Sequence, residues 1–486
     1  MKVRMKFMIA LILTVLLTGP VLAAPETSSA AGAPPAPLPD ARYHADILLV
    51  AAHPDDETAV SGFLARCVFD RHQRVAVVFT THGDGGGNAV GSEAAAALAQ
   101  VREIEVRRAL AAWGIDNVWF LGGKDTASQN VLRSLEASNH GQELADLVRL
   151  VRLTRPQVIL TWLPAYLVGE NHGDHQAAGV LATEAFDMAG NPTAFPEQVA
   201  APRDRGWIGN LTEGLRPWQP QKLYFYSDTT HPETLKGLGP AYATTDMSPS
   251  KGVPYYKLSA EEWKYHLTQD DVSGVVFKAE KTGDWSALTV PEQLIFGKSL
   301  VGGGATDDVF AGLAANAPGL AAHGYQPGGI KGPTIPSPWY PSTRQDGAGV
   351  GIALGGPWGF YQQFWPAHGL GVPTPLATPE AEADLTEPLM VSLIISNDTD
   401  QDRIVELVRQ LPPGWREVSP GFRTIPVRAH ESYPLQVLLR APASDVKQWR
   451  KIRFEARATG PDASIELRVF VVSKPDVPQE LPNPTQ

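Results

Sequence analysis

From residue 46 onward the chain alternates two kinds of hydrophobic pattern. The runs DILLVAA (46–52), RVAVVFT (74–80), NVWFLG (117–122) and PQVILTW (156–162) are short, rich in β-branched residues and mostly apolar, as buried strands are. Between them, AVSGFLARCVFD, SEAAAALAQVREIEVRRALAAWG and GQELADLVRLVRLT place apolar residues three and four positions apart, the spacing of a helix face. This alternation predicts an α/β fold, a Rossmann-like parallel sheet with helices on both faces. QKLYFYS (221–227) reads as a further strand. Ligands of such folds sit beyond the carboxyl ends of the strands, so the residues that follow each strand are the candidate site.

The pattern changes after residue 300. Gly302 to Gly371 is crowded with Gly, Pro and aromatic residues, as in GIKGPTIPSPWYP and GGPWGFYQQFWPAHG, and reads as long loops pinned to the core by their rings. Rings left exposed there would instead offer stacking faces for sugars. GVPTPLATPEAEADLTEP is a linker by composition. LMVSLIISN, RIVELVRQL, REVSP, FRTIPV, SYPLQVLLRAP, KIRFEARAT and ASIELRVFVV then predict strands separated by turns, an all-β sandwich. It resembles the immunoglobulin-like modules appended to bacterial carbohydrate-active enzymes. The linker predicts two parts that each bury their own core, with few contacts crossing between them.

The first residues follow a different logic. Lys2, Arg4 and Lys6 precede an apolar run from Phe7 to Leu17 and a small-residue site at Val21-Leu22-Ala23, the layout of a secretory signal peptide. The apolar run is shorter than the ~20 residues a membrane span needs, and no later segment predicts a transmembrane helix. A secreted or periplasmic location is therefore expected. The expected division is a signal peptide (1–23), a flexible linker rich in Ala, Pro and Ser (24–43), a catalytic domain (44–300), a Gly/Pro/aromatic extension (301–384), the sandwich (385–473) and a tail (474–486). With 41 Lys+Arg against 52 Asp+Glu the net charge is −11, and losing a leader with three basic residues and no acids makes it more negative. Such a surface repels nucleic acid and anionic lipid. The single cysteine, Cys67, rules out an intramolecular disulfide and falls in an apolar helical pattern, as a core residue does.

Chemistry gathers at the strand ends. DILLVAAHPDDET runs from a strand straight into His53, Pro54, Asp55, Asp56 and Glu57, and carboxylates crowded at one tip repel unless a cation gathers them. The second strand leads into THGDGGGN, the third into GGKD, and the fourth into WLPAYLVGENHGDHQAAG, which carries His172, Asp174 and His175 at the start of an apolar helix. A catalytic zinc takes three protein ligands and keeps a fourth position for water. His53, one of Asp55 or Asp56, and one histidine of HGDH make such a set. One acid and one histidine remain for proton transfer.

AHPDDE, THGDGGG, REIE and HGDH, in this order and on these elements, resemble the LmbE-like (PIG-L) deacetylases, the family named for N-acetylglucosaminyl-phosphatidylinositol deacetylase. The resemblance covers roughly residues 44 to 200. It implies that His53, Asp56 and His175 hold the zinc, that Asp55 is the general base, and that His172 stabilises the oxyanion while Asp174 orients it. From the residues themselves, a His172 held cationic by Asp174 can stabilise charge on the tetrahedral intermediate. The resemblance also places Arg102 near the substrate; from the residues alone Arg102 is equally a partner of Glu105 on a solvated helix face. His266 and Gln269 in EEWKYHLTQ have the spacing of an HxxQ found in relatives, or lie on a helix surface. Glu57 reads as a structural residue at a helix start, and GDGGG as a loop that lines the site.

Together these readings predict an exported, zinc-dependent amide hydrolase that removes acetyl from an N-acetylated sugar or glycan. Iron, cobalt or manganese also suit His and Asp ligands. A carbohydrate-binding or scaffolding protein without activity, and an amidase acting on a non-sugar amide, are the alternatives.

Overall fold

The computed structural model describes residues 41–169, 172–200, 213–313, 349–371, 378–419, 421, 423–460 and 462–473. The expected signal peptide, most of the expected linker, the stretch GIKGPTIPSPWYP and the tail lie outside these residues. Five strands, β1 (Ile47–Ala51), β2 (Val75–Thr81), β3 (Val118–Gly123), β4 (Val158–Trp162) and β5 (Lys222–Tyr226), form a parallel sheet in the order β3-β2-β1-β4-β5. Around it stand α1 (Ser61–Ala65), α2 (Ala96–Ala111), α3 (Val131–Ala137), α4 (His140–Thr154) and α5 (Gly173–Met188). The predicted Rossmann-like sheet is thus observed.

Side chains along each strand alternate between two cores. Leu48, Val50, Ala76, Val78 and Ile159 pack with Leu147 and Val151 of α4 and Val180 and Leu181 of α5. Ile47, Leu49, Val75, Val77, Phe79, Val158 and Leu160 pack with Phe63 and Leu64 of α1 and Val106 and Leu110 of α2. Burial on both faces is why these strands read as apolar runs rather than as a polar-apolar alternation. The chain leaves β1 toward β2 and β3, then returns to lay β4 and β5 on the other side. The crevice beyond the carboxyl ends of β1 and β4 is therefore the topological switch point, where such sheets bind ligands.

The short helix α6 (Pro196–Val199) precedes β5 in the chain, and β6 (Ala241–Tyr242), α7 (Tyr255–Trp263), α8 (Val275–Thr282) and β7 (Glu292–Gln293) follow it before the last sheet member. β8 (Ile295–Ser299) then adds to β5 as an antiparallel edge.

Two further sheets share a separate core. One has the order β10-β17-β16-β12-β14, the other β13-β15-β11-β9, built from β9 (Val350–Leu354), β10 (Glu380–Asp384), β11 (Leu389–Asn397), β12 (Arg403–Gln410), β13 (Arg416–Glu417), β14 (Thr424–Val427), β15 (Ser432–Arg440), β16 (Trp449–Arg457) and β17 (Ala463–Val472). Val391, Leu393, Val405, Ile452, Phe454 and Val469 fill the space between them. The all-β sandwich expected from the strand pattern is present, and its sheets also take in β9 and β10, which precede residue 385.

GGPWGFYQQFWPAHG, expected as loop, forms helix α9 (Gly356–Ala367). Its Pro357 falls in the first turn, where a proline's missing N–H costs nothing and its fixed φ suits the helix. Phe360, Tyr361, Phe364 and Trp365 of α9 are buried in the α/β core. The chain thus enters the sandwich at β9, returns to the α/β layer as α9, and re-enters the sandwich at β10. The Trp365 indole N–H bonds Pro164 O at 2.9 Å, the Tyr361 hydroxyl bonds Gln176 at 2.6 Å, and Glu382 N bonds the Tyr166 hydroxyl at 3.1 Å. The expectation of few contacts between the two parts is not met, because a helix of one is threaded through the strands of the other.

Candidate active site

β1 ends in Ala51, and the backbone then turns so that the Asp56 carboxylate folds back onto its own loop. Its Oδ2 accepts three hydrogen bonds, from Ala52 N at 2.7 Å, His53 N at 2.9 Å and the Trp162 indole N–H at 2.6 Å. Oδ1 is left facing two imidazoles, 3.5 Å from His53 Nδ1 and 3.3 Å from His175 Nε2. Ligands about 2.0–2.2 Å from a tetrahedral ion stand roughly 3.3–3.5 Å apart. Asp56 Oδ1 therefore stands at ligand-to-ligand spacing from each of the two imidazoles, and the ligand nitrogens of His53, His172 and His175 lie within 4.8 Å of one another. His175 sits in the first turn of α5 and lies flat on Trp162, rings 3.9 Å apart and 3° from parallel. One tryptophan at the end of β4 so positions two of the three groups.

The electrostatics favour a cation. His53 Nε2 lies 3.5 Å from both Asp125 Oδ1 and Asp174 Oδ2. Burial opposes charge on His53, but the carboxylates of Asp56, Asp125 and Asp174 outweigh it and raise its pKa well above the usual value. Burial likewise opposes charge on Asp56, and His175 and His53 overcome it and hold the carboxyl well below its usual range. A divalent ion is stabilised by the same negative field. Carboxylates behind the far nitrogen of a ligand histidine also fix its tautomer and sharpen its basicity.

Asp125 carries no signal in the sequence beyond its place in GGKD at the end of the third strand. It bridges two segments: Oδ2 accepts Gly85 N at 3.0 Å while Oδ1 faces His53. Trp162 and Thr126 were missed as well, since an indole at a strand end and a threonine in a loop carry no local signal. Asp174 accepts Thr126 N and Thr126 Oγ1, each at 2.7 Å. Burial works against its charge, but the bonds from His53, Ser134 and Thr126 hold it at about 2.

Asp174 Oδ2 is 3.9 Å from His172 Nδ1, farther than from His53. The structure thus places Asp174 behind His53 rather than in a tight pair with His172. Burial, with the neighbouring His53 and His175, pushes His172 down to about 4. His172 is consequently neutral near pH 7, contrary to the cationic role expected from sequence, because the fields of Asp174 and Asp125 do not offset desolvation and two adjoining imidazoles. A bound cation lowers it further. The three imidazoles stand together, centroids 4.7 Å (His53–His172), 5.1 Å (His53–His175) and 5.2 Å (His172–His175) apart.

Asp55 lies between His53 and Asp56 in the same turn. Burial, then the charge of Asp56, pushes its carboxyl up to about 7, against the opposing pull of His53 and His266. A carboxyl poised there suits proton transfer near neutrality. Glu57 points the other way, into the core, with its Oε1 3.0 Å from His266 Nε2. His266 and Gln269 are buried, not on a helix surface, and His266 reaches the underside of the HPDDE turn rather than the imidazole cluster.

Arg102 is also buried and does not form a solvated pair with Glu105, which instead accepts Thr268 N at 3.0 Å and Thr268 Oγ1 at 2.7 Å. Its guanidinium bonds Gly87 O at 2.9 Å and underlies the GDGGG loop. A Cβ at Gly86 would stand 2.6 Å from Arg102 Nη2 and displace the guanidinium, and Gly83, at φ +68°, holds a backbone conformation that favours glycine.

Residues 48–186 match the family model described as PIG-L, GlcNAc-PI de-N-acetylase. The 1D-myo-inositol 2-acetamido-2-deoxy-alpha-D-glucopyranoside deacetylase 1 of Frankia alni is 29% identical over 301 residues, 54% of this chain and 99% of the relative. The corresponding deacetylase of Thermobifida fusca is 27% identical over 254 residues, 48% of this chain and 85% of the relative. Among solved structures, the N,N'-diacetylchitobiose deacetylase from Pyrococcus horikoshii overlaps 51% of this chain and 83% of its own, at 19% identity and a TM-score of 0.34. The segment from residue 48 to residue 186, which carries the HPDDE turn and the HGDH helix start, is a domain of the PIG-L (LmbE-like) family.

Proposed function

We propose that the protein is a metal-dependent amide hydrolase that removes the acetyl group from an N-acetylated sugar or glycoconjugate outside the cytoplasm. The observation that carries this reading is Asp56: one oxygen is held by three donors, and the other is presented to His53 and His175 at 3.5 and 3.3 Å. His53, Asp56 and His175 would hold the ion, with zinc the first choice for such a set and iron, cobalt or manganese also compatible. When bound, it supplies polarisation of the amide carbonyl and a more acidic water. Asp55 takes the proton of the attacking water and returns it to the leaving nitrogen, so that an amide and water become acetate and an amine. His172, neutral, donates an N–H to the developing oxyanion. Asp125 and Asp174 keep His53 in one orientation, and Arg102 shapes the glycine loop beside it.

The sugar part of the proposal is supported by the names of the Frankia alni and Thermobifida fusca relatives, both deacetylases of an acetamido sugar joined to inositol. The leader-like first residues support export, and no helix among the described residues is long and apolar enough to cross a membrane. The test is to incubate metal-loaded protein with an array of N-acetylated glycans and to detect acetate and free amine by mass spectrometry. Product from wild type and none from His175→Ala, which should also lose its metal, is the expected result. Stoichiometric metal in His175→Ala would overturn the ligand assignment, and turnover only of non-sugar amides would overturn the substrate class.

A further inference from the structure

Between the α/β layer and the sandwich lies a cavity of about 360 Å³, within the range of roughly 300–1,000 Å³ typical of small-molecule sites. Ala165, Tyr166 and Leu167, just past β4, form one wall; Trp358, Tyr361 and Trp365 of α9 form another, with Thr378 and Glu380 beside them. The polar tip of each of the four aromatic residues is occupied by the protein itself. The Tyr166 hydroxyl accepts Glu382 N at 3.1 Å, the Trp358 indole bonds Glu380 O at 2.8 Å, the Tyr361 hydroxyl bonds Gln176 at 2.6 Å, and the Trp365 indole bonds Pro164 O at 2.9 Å. The Glu380 carboxylate is bonded by Arg468 at 2.9 Å. What the walls offer inward is therefore hydrocarbon, chiefly ring surface, while the exposed amide of Gln362 and the part-exposed Thr378 mark a polar edge.

An apolar chamber with a polar edge has a definite chemical complement. A free sugar would have to give up the hydration of its hydroxyls to walls whose donors and acceptors are already used, and each group left unpaired opposes its entry. A hydrocarbon chain or ring gains by entering, in proportion to the apolar area it takes out of water. We propose that this cavity binds the apolar body of an amphiphile, with the polar end of the ligand at Gln362 and Thr378. It is separate from the cluster of His53, Asp56 and His175, and it exists only because α9 is threaded between the two parts of the fold. The proposal does not depend on the hydrolase reading.

The experiment is isothermal titration calorimetry of the full chain with octyl glucoside and with decanoate, each below its micellar concentration, and with glucose as the probe that lacks the apolar body. Saturable binding of an alkyl probe, no binding of glucose, and at least about tenfold weaker alkyl binding in both Gln362→Trp and Thr378→Trp, which crowd the edge from positions that are not fully buried, are expected. Circular dichroism and an unchanged melting temperature show that these variants fold. The absence of saturable alkyl binding, undiminished binding in both folded variants, or binding of glucose as tight as that of octyl glucoside would each overturn the proposal.

Discussion

His266 Nε2 lies 3.0 Å from Glu57 Oε1 and 3.1 Å from Glu262 Oε1, with all three side chains fully buried. This contact ties the turn that carries Asp55 and Asp56 to a histidine more than 200 residues later in the chain. Burial, with the charge of Glu262, pushes Glu57 up to about 7 against the pull of His266, so the positive group between them offsets part of the cost of placing two carboxyl groups in the core. Both carboxylates raise the pKa of His266 well above its usual value, against the opposing effect of burial.

His266→Ala should therefore leave two carboxylates facing each other without a cation. A loss of about 3–5 kcal/mol is expected, as for a buried pair deprived of one partner, and Glu57→Gln in the same chain should restore part of it. Urea denaturation of the single and double variants checks this; an unchanged midpoint in His266→Ala would show that the contact carries no stability.

Asp55→Asn should keep its metal and lose turnover by about 10²- to 10⁴-fold, the usual cost of removing a general base. Since the wild-type carboxyl is raised to about 7 by burial and by Asp56, and a bound cation lowers it, the acidic limb of kcat/KM should lie at or below about pH 7. That limb should be absent from the variant. Wild-type rate in Asp55→Asn with metal retained would reassign the base.

Trp162→Phe removes the indole N–H that reaches Asp56 Oδ2 but preserves a ring against His175. Metal affinity should fall by about 10- to 100-fold, as for other groups that orient a ligand from behind, while the fold is retained. Competition with a chelator of known affinity measures it, and equal retention of metal would mean that the two backbone donors from Ala52 and His53 suffice.

Glu143 of α4 is 3% exposed, neither of its oxygens has a hydrogen-bond partner among the described residues, and burial, then Asp174 and Asp146, pushes it up to about 8. In the unfolded chain the same carboxyl titrates near 4.5. Between these values the unfolded state releases a proton that the folded state keeps, so stability falls as pH rises from about 4.5 to about 8. Glu143→Gln should melt higher than wild type at about pH 8.5 and lose that advantage at about pH 4. A constant difference across the range would place the effect in packing rather than in ionisation.

Truncation before Thr378 should not leave a sound hydrolase. It strips β11 from β9 and leaves Val350 and Leu354 without the core they share with the sandwich. Aggregation in size-exclusion chromatography, or a melting temperature well below that of the full chain, is expected; a monomer with unchanged melting would show that α9 and β9 hold without the sandwich.

Local pattern was enough to determine the strands of the parallel sheet and the helices around it other than α3, because a strand buried on both faces must be apolar throughout and a packed helix must repeat every three to four residues. It also determined that His53, Asp55 and Asp56 directly follow the first strand and that His172, Asp174 and His175 stand at the start of the helix after the fourth. The course of the chain from Gly355 to His368 was not legible: glycine and proline mark loops on average, yet here they start a helix whose aromatic face finds the α/β core. Tertiary structure alone decided the contacts that the chemistry depends on. Trp162 reaches Asp56, Asp125 and Asp174 reach His53, and His266 reaches Glu57 across separations that no local pattern records. The charge state of His172 was decided in the same way, because desolvation and the fields of neighbouring groups depend on what surrounds a side chain in space and not on what adjoins it in sequence.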